Sequence, residues 1–229
     1  NPTNQSDYLN FLRQQRTNFK NQAMNVKNDR IKDNLQVWLD SLEFPWNQAD
    51  LSFFAGKTLQ DVNSLLQTNK ITSFSITSPP GYGKTFLLYA IIKEYLKRGL
   101  LTPSEIEFTT IRDAYVNING MFQSREWKDR FFNPRAKLYV IEGCSLDFTY
   151  LKMKGQLEFW GEFLAMIREY NKHFIVTYTM NPSEIQSGGK FVPKLHPDNK
   201  PNFDIVRQTN RIMLTANSRN LNKHLRKHY

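Results

Sequence analysis

Eight consecutive residues, Ser78-Pro79-Pro80-Gly81-Tyr82-Gly83-Lys84-Thr85, have the types and spacing needed to hold a polyphosphate. Gly81 and Gly83 free the backbone so that successive amide N–H groups turn inward around a phosphate. The apolar run from Phe86 to Leu96 reads as a helix, whose first N–H groups and positive dipole end join the same cradle. Lys84 would bridge the two outer phosphates, and the Thr85 hydroxyl would take a magnesium ion. The usual pattern begins with glycine, where this chain has Ser78, a small residue and a mild departure. A chance turn of this composition would lack the strand-like run Ile71–Thr77 before it and the apolar helix after it. The expected ligands are ATP and Mg2+, contacted by the residues from Ser78 through Phe86.

Hydrolysis needs an acidic residue at the end of a neighbouring hydrophobic strand, to orient magnesium or its water. Leu138-Tyr139-Val140-Ile141 is such a strand, and Glu142 ends it. Glu142 is therefore the second expected metal ligand, unless it merely caps the strand. The usual order there is Asp then Glu, the second carboxylate polarising the attacking water, but Gly143 occupies the second place. Either Glu142 serves with a longer reach, or hydrolysis is slow and nucleotide binding is itself the signal. Asp147 is a further candidate acid. The run from His173 to Asn181 then offers Asn181 as a polar sensor of the γ-phosphate, against the plainer reading of a turn-forming Asn. Arg207 and Arg211 follow in Phe203-Asp204-Ile205-Val206-Arg207-Gln208-Thr209-Asn210-Arg211, where a planar guanidinium would suit the ATP of a neighbouring subunit. Solvated surface arginines are the competing reading.

The elements around these residues alternate strand and helix from Ile71 onward, the pattern of a parallel sheet covered on both faces. Helices are expected near Leu59–Leu66, Thr85–Leu96 and Ile111–Phe122. Another should carry Met153, Leu157, Trp160, Leu164 and Ile167 on one face. Strands are expected at Ile71–Thr77, Glu105–Thr110, Lys137–Ile141, Phe174–Thr179 and Arg211–Thr215. Before them, residues 1–43 read as a long amphipathic helix capped at Ser6 or Asp7, packed on its own domain or on a partner, and broken by Pro45. The chain thus divides into a basic helical segment (1–50), an α/β core (51–216) and a basic helical tail (217–229). It begins with Asn1 rather than Met, which leaves room for a further N-terminal module.

Hydrophobic residues at 40% and charged residues at 23% of 229 place the chain among globular proteins and exclude a disordered class. No apolar run of about 18 residues is present, which argues against a membrane span. Lone Cys144 excludes an internal disulfide and a cysteine zinc site, and fits a reducing compartment. With no visible signal peptide, the expected location is the cytoplasm of a bacterial or phage-infected cell. The net charge of +10 favours a polyanionic partner such as nucleic acid. Candidate contacts are Arg219, Lys223, Arg226 and Lys227 in the tail, Lys190, Lys194 and Lys200 in the loop from Ser187 to Asn202, and Arg130-Phe131-Phe132, whose rings would stack bases or pack in the core.

With the phosphate loop, the acidic strand, the strand leading to Asn181 and Arg207 in this order, the chain resembles the AAA+ ATPases of the bacterial helicase-loader group, of the DnaC and DnaI types, and the transposition helper IstB. The likeness runs from about Phe53 to Met213. It implies a self-assembling protein in which ATP couples binding of single-stranded DNA to the opening or release of a replicative ring helicase. It also implies that a region outside the ATPase core, here the N-terminal helix, grips that helicase. The departures at Ser78, Glu142 and Gly143 bear on turnover more than on ATP binding. Two other classes fit the residues: a motor similar to the viral superfamily 3 helicases, and a transposition or packaging helper in which ATP sets assembly with little hydrolysis.

Overall fold

The computed structural model describes residues 5–121, 132–143, 153–154, 159–179 and 210–214. Strand β1 (Phe74–Ser78) is buried along its whole length and leads directly into the glycine-rich loop. Helix α3 (Lys84–Lys97) follows the loop, with Leu87, Leu88, Ala90, Ile91, Ile92, Tyr95 and Leu96 buried. A helix so apolar around its circumference belongs in a core, and α3 packs against the sheet. Strands β2 (Ile106–Thr109), β3 (Leu138–Ile141), β4 (His173–Thr179) and β5 (Asn210–Met213) complete one five-stranded sheet in the order β2-β3-β4-β1-β5. Every adjacent pair is parallel.

Alternation along the inner strands sends side chains to two separate cores, as the two-residue period of a strand requires. Leu138, Val140 and Ile175 join the core beneath α3, α2 (Gly56–Gln67) and the end of α1 (Gln5–Asp40). Tyr139, Ile141, Phe174 and Val176 join the opposite core beneath α4 (Ile111–Met121) and α5 (Phe159–Glu169). On α5 the residues Phe159, Phe163, Leu164 and Ile167 face inward, while Glu162, Arg168 and Glu169 face solvent. Full burial of each such apolar side chain contributes about 1.5–3 kcal/mol.

Several sequence expectations are corrected here. Helix α1 begins at Gln5, so Ser6 and Asp7 lie inside its first turn and neither is the cap. Its expected apolar face is not covered along its length: Leu12, Phe19 and Met24 are exposed by 44%, 67% and 60%. Among the described residues only the last third packs, through Trp38, Leu35 and Leu39. Ile31 is the first side chain to meet the body of the domain, seated against Gly99, where an added Cβ would come within 2.7 Å of its Cδ1. Met153 was expected on a core-facing stripe and is 81% exposed. Phe132 is a core residue, stacked on Tyr170 and edge-on to Tyr139, so the base-stacking alternative fails for this ring. The acidic strand β3 is not the immediate neighbour of β1, because β4 pairs with both and lies between them.

Asp147, Asn181, Arg207, the loop from Ser187 to Asn202 and the tail carrying Arg219, Lys223, Arg226 and Lys227 lie outside the described residues, as do Arg130, Phe131 and Leu157. Among the described residues, no helix is long and apolar enough to cross a membrane.

Candidate nucleotide site

The loop from Pro79 to Gly83 joins the buried end of β1 to the first turn of α3. Gly81 and Gly83 take φ values of +77° and +89°, which residues with a Cβ rarely adopt. Gly83 is the N-cap of α3 and supplies no side-chain acceptor to the helix. The first N–H groups of α3 therefore face the loop without a capping oxygen, which suits an incoming anion.

Lys84 turns back over the loop. Its Nζ donates to the carbonyls of Ser78 (3.3 Å) and Pro79 (3.2 Å) and lies 3.4 Å from the Ser78 hydroxyl. Ser78 Oγ in turn donates to the Pro79 carbonyl at 2.9 Å, so the residue that replaces glycine is tied into the loop. Burial lowers the Lys84 pKa, and its acceptors among the described residues are neutral oxygens. Among the described residues no carboxylate is within ion-pair distance of it. A half-buried ammonium without an anion, beside uncapped helix N–H groups, fits a phosphate chain.

Across the sheet, Glu142 meets the helix that follows the loop. The Thr85 hydroxyl lies close enough to its carboxylate to act on it, bringing the end of β3 to the start of α3 although β4 separates their strands. Burial raises the Glu142 pKa, and the Thr85 hydroxyl offsets part of that rise. A hydroxyl and a carboxylate oxygen are the hard ligands that magnesium takes alongside water and nucleotide oxygens. Among the described residues no group of three or more His, Cys, Asp or Glu gathers at one place. The residues thus fit a magnesium ion carried with the nucleotide rather than a closed protein cage.

Gly143 follows with φ of +71° and donates its N–H to Thr177 Oγ1 at 3.1 Å. Thr177 is buried on β4, one register step past the Ile141–Val176 pair. Thr179, at the end of β4, is opposite Ser78. The β4 rim therefore sits between the loop and Glu142, where a polar sensor would act. Arg211 has its backbone in β5, paired with Ser75 far from the loop end of β1.

Two flanking features were not foreseen from sequence. Tyr89 stacks between Trp46 (5.7 Å between ring centres) and Phe108 (5.9 Å). Its pKa is raised by burial and then by the charge of Glu142, so the phenol shares the environment of that carboxylate. Phe86 meets Phe53 edge-on at 5.2 Å, and Tyr82 packs on the same core. Lys93 holds the segment leading to Phe53 in place, donating to the Ala49 carbonyl at 3.1 Å and pairing with Asp50 at 3.4 Å. No sequence signal distinguishes Tyr89 from an ordinary core aromatic, whereas a Thr at 177 inside an apolar strand is a weak one.

A phosphate loop at the end of β1, an acid two strands away and helices on both faces of a parallel sheet define an AAA+-type phosphate-loop fold. Solved structures agree. The crystal structure of the DnaC helicase loader aligns with a TM-score of 0.50 at 13% identity, over 76% of this chain and 100% of that one. Domain III of the Thermotoga maritima replication initiation protein DnaA gives 0.51 at 13% identity, over 76% of this chain and 68% of that one. AMPPCP-bound DnaA from Aquifex aeolicus gives 0.49 at 15% identity, over 73% of this chain and 50% of that one, so the chain spans about half the length of that DnaA. No family model matches the chain, and no curated protein matches it in sequence. The likeness is one of fold: an AAA+-type α/β domain similar to that of the DnaC helicase loader.

Proposed function

We propose that this chain binds ATP with Mg2+ in the loop from Ser78 to Thr85 and works in DNA replication as an ATP-controlled helicase loader. The observation that carries the nucleotide reading is the glycine-rich loop joining β1 to α3, where Lys84 Nζ folds back on the Ser78 and Pro79 carbonyls and no side-chain oxygen caps the start of α3. Backbone N–H groups at the start of α3 would hold the phosphates, and Lys84 would leave the Ser78 and Pro79 carbonyls to neutralise them. Bound magnesium would supply charge neutralisation and orient the terminal phosphate. Thr85 and Glu142 would hold it, and the β4 rim, continuing to Asn181, would orient water.

The loader part of the reading is supported by the fold shared with the DnaC helicase loader and by the net charge of +10. On it, residues 1–50 contact a replicative ring helicase or other replication protein, 51–216 form the ATPase core, and 217–229 contribute to single-stranded DNA binding. Arg207 or Arg211 would act on the ATP of a neighbouring copy. Gly143 specifically favours slow turnover, since it leaves no second carboxylate beside Glu142. Calorimetric titration of the whole chain with ATP and Mg2+ tests the foundation: binding should be saturable, and absent heat would end the reading. Light scattering with ATP and single-stranded DNA, run alongside phosphate release, tests assembly. ATP-dependent growth in mass with turnover near background is the expected result, whereas rapid turnover with strand displacement by this chain alone would favour a motor.

A further inference from the structure

Among the described residues nothing covers α1 from Leu12 to Arg30, which stands as a rod. From Leu12 to Arg30 every residue is exposed, and the stretch from Gln5 to Arg30 reaches on the order of 40 Å at the rise of an α-helix. On that rod Leu12, Phe19 and Val26 recur at seven-residue intervals and are exposed by 44%, 67% and 53%. Ala23 falls at the complementary position four residues after Phe19, and Arg16 and Arg30 fall at the equivalent positions before and after it. This spacing forms one continuous seam along a helix that pairs with another helix. Immediately after each large apolar residue stands a cation: Arg13, Lys20 and Lys27. Asp29 is the one carboxylate between residues 8 and 32. Among the described residues no ion pair engages Arg13, Arg16, Lys20 or Lys27.

We infer that this seam docks a single acidic helix of another protein, with partner carboxylates facing the row Arg13, Lys20 and Lys27 and reaching Arg16 within the seam. Residues flanking a seven-residue seam set partner choice by charge. A second copy of this chain is the wrong partner: side by side in parallel it would oppose Arg16 to Arg16, and antiparallel it would oppose one cationic row to the other. A nucleic-acid backbone would meet the cations but leave Leu12, Phe19 and Val26 in water. The inference extends the loader reading by giving the partner's chemistry, yet it rests on α1 alone.

Two synthetic helical peptides of about four heptads, identical in their Leu seam but flanked by Glu in one and Lys in the other, provide the test. Fluorescence anisotropy of each labelled peptide is read against the whole chain without nucleotide. The Glu peptide should bind saturably and more weakly as salt rises, while the Lys peptide should not bind. Phe19→Gln and Lys20→Glu should each weaken binding about tenfold or more, and Met24→Gln, exposed but off the seam, should not. Circular dichroism should show unchanged helix in all three, and Phe19→Gln should take up ATP like the parent, which separates this result from the nucleotide reading. Equal binding of both peptides, no binding, displacement of the Glu peptide by a single-stranded oligonucleotide, or self-association lost in Phe19→Gln would each overturn the inference.

Discussion

Lys84 and Glu142 each sit in a state that a ligand would relieve. Lys84 makes three contacts to neutral oxygens, and Glu142 is half-buried beside the Thr85 hydroxyl. Removal of the ammonium by Lys84→Ala should weaken ATP binding by roughly 10- to 100-fold, the value of a charge-assisted hydrogen bond of about 1.5–3 kcal/mol, as read by calorimetry. For Glu142 the folded chain favours the protonated acid, because its pKa is raised. The folded state then holds more protons than the unfolded one just above the ordinary carboxylate range, so stability falls as pH rises through that window. Glu142→Gln should therefore melt at a higher temperature than the parent at pH 7 without ligand, with the gap closing towards pH 4. The same substitution should abolish magnesium-dependent stabilisation by ATP. Equal melting at both pH values would contradict the burial argument.

Among the elements, α1 and β4 decide how the site is placed. Trp38 is 4% exposed and lies 5.8 Å from Tyr89, so the end of α1 helps to hold the aromatic stack beside Glu142. Trp38→Ala should cost about 3–5 kcal/mol in urea unfolding. The site's contiguous part is legible in sequence because Ser78 to Thr85 act through local geometry, glycine freedom followed by a helix start. Glu142 is legible because an acid after four apolar residues is unusual. The order of strands is not, since pairing is non-local and nothing in His173–Thr179 says that it enters between β1 and β3. Nor does an apolar period in α1 reveal whether Phe19 is covered, because the same pattern serves a core and a partner. Met153 shows the converse error: its spacing from Leu164 and Ile167 suits a stripe, but it lies outside the helix that carries them.

For the whole molecule, charge is the property that local reasoning assigns most easily and places least well. Single-stranded DNA binding, if it follows from the excess of +10, should weaken log-linearly with salt, the slope being about −0.7 for each phosphate neutralised. Removing residues 217–229, with Arg219, Lys223, Arg226 and Lys227, should reduce that slope by up to about 3, measured by anisotropy of a labelled oligonucleotide over a salt series. An unchanged slope would move the DNA contact elsewhere.

The insertion of β4 between the two halves of the pocket has a mechanical consequence. Thr179 ends that strand level with Ser78, and Thr177 accepts a hydrogen bond from the residue after Glu142. The end of β4, from Thr177 to Thr179, thus lies in the gap that a terminal phosphate would span. On the proposed function, loss of that phosphate would be felt first at the end of β4, and through Thr177 at the backbone N–H that follows Glu142.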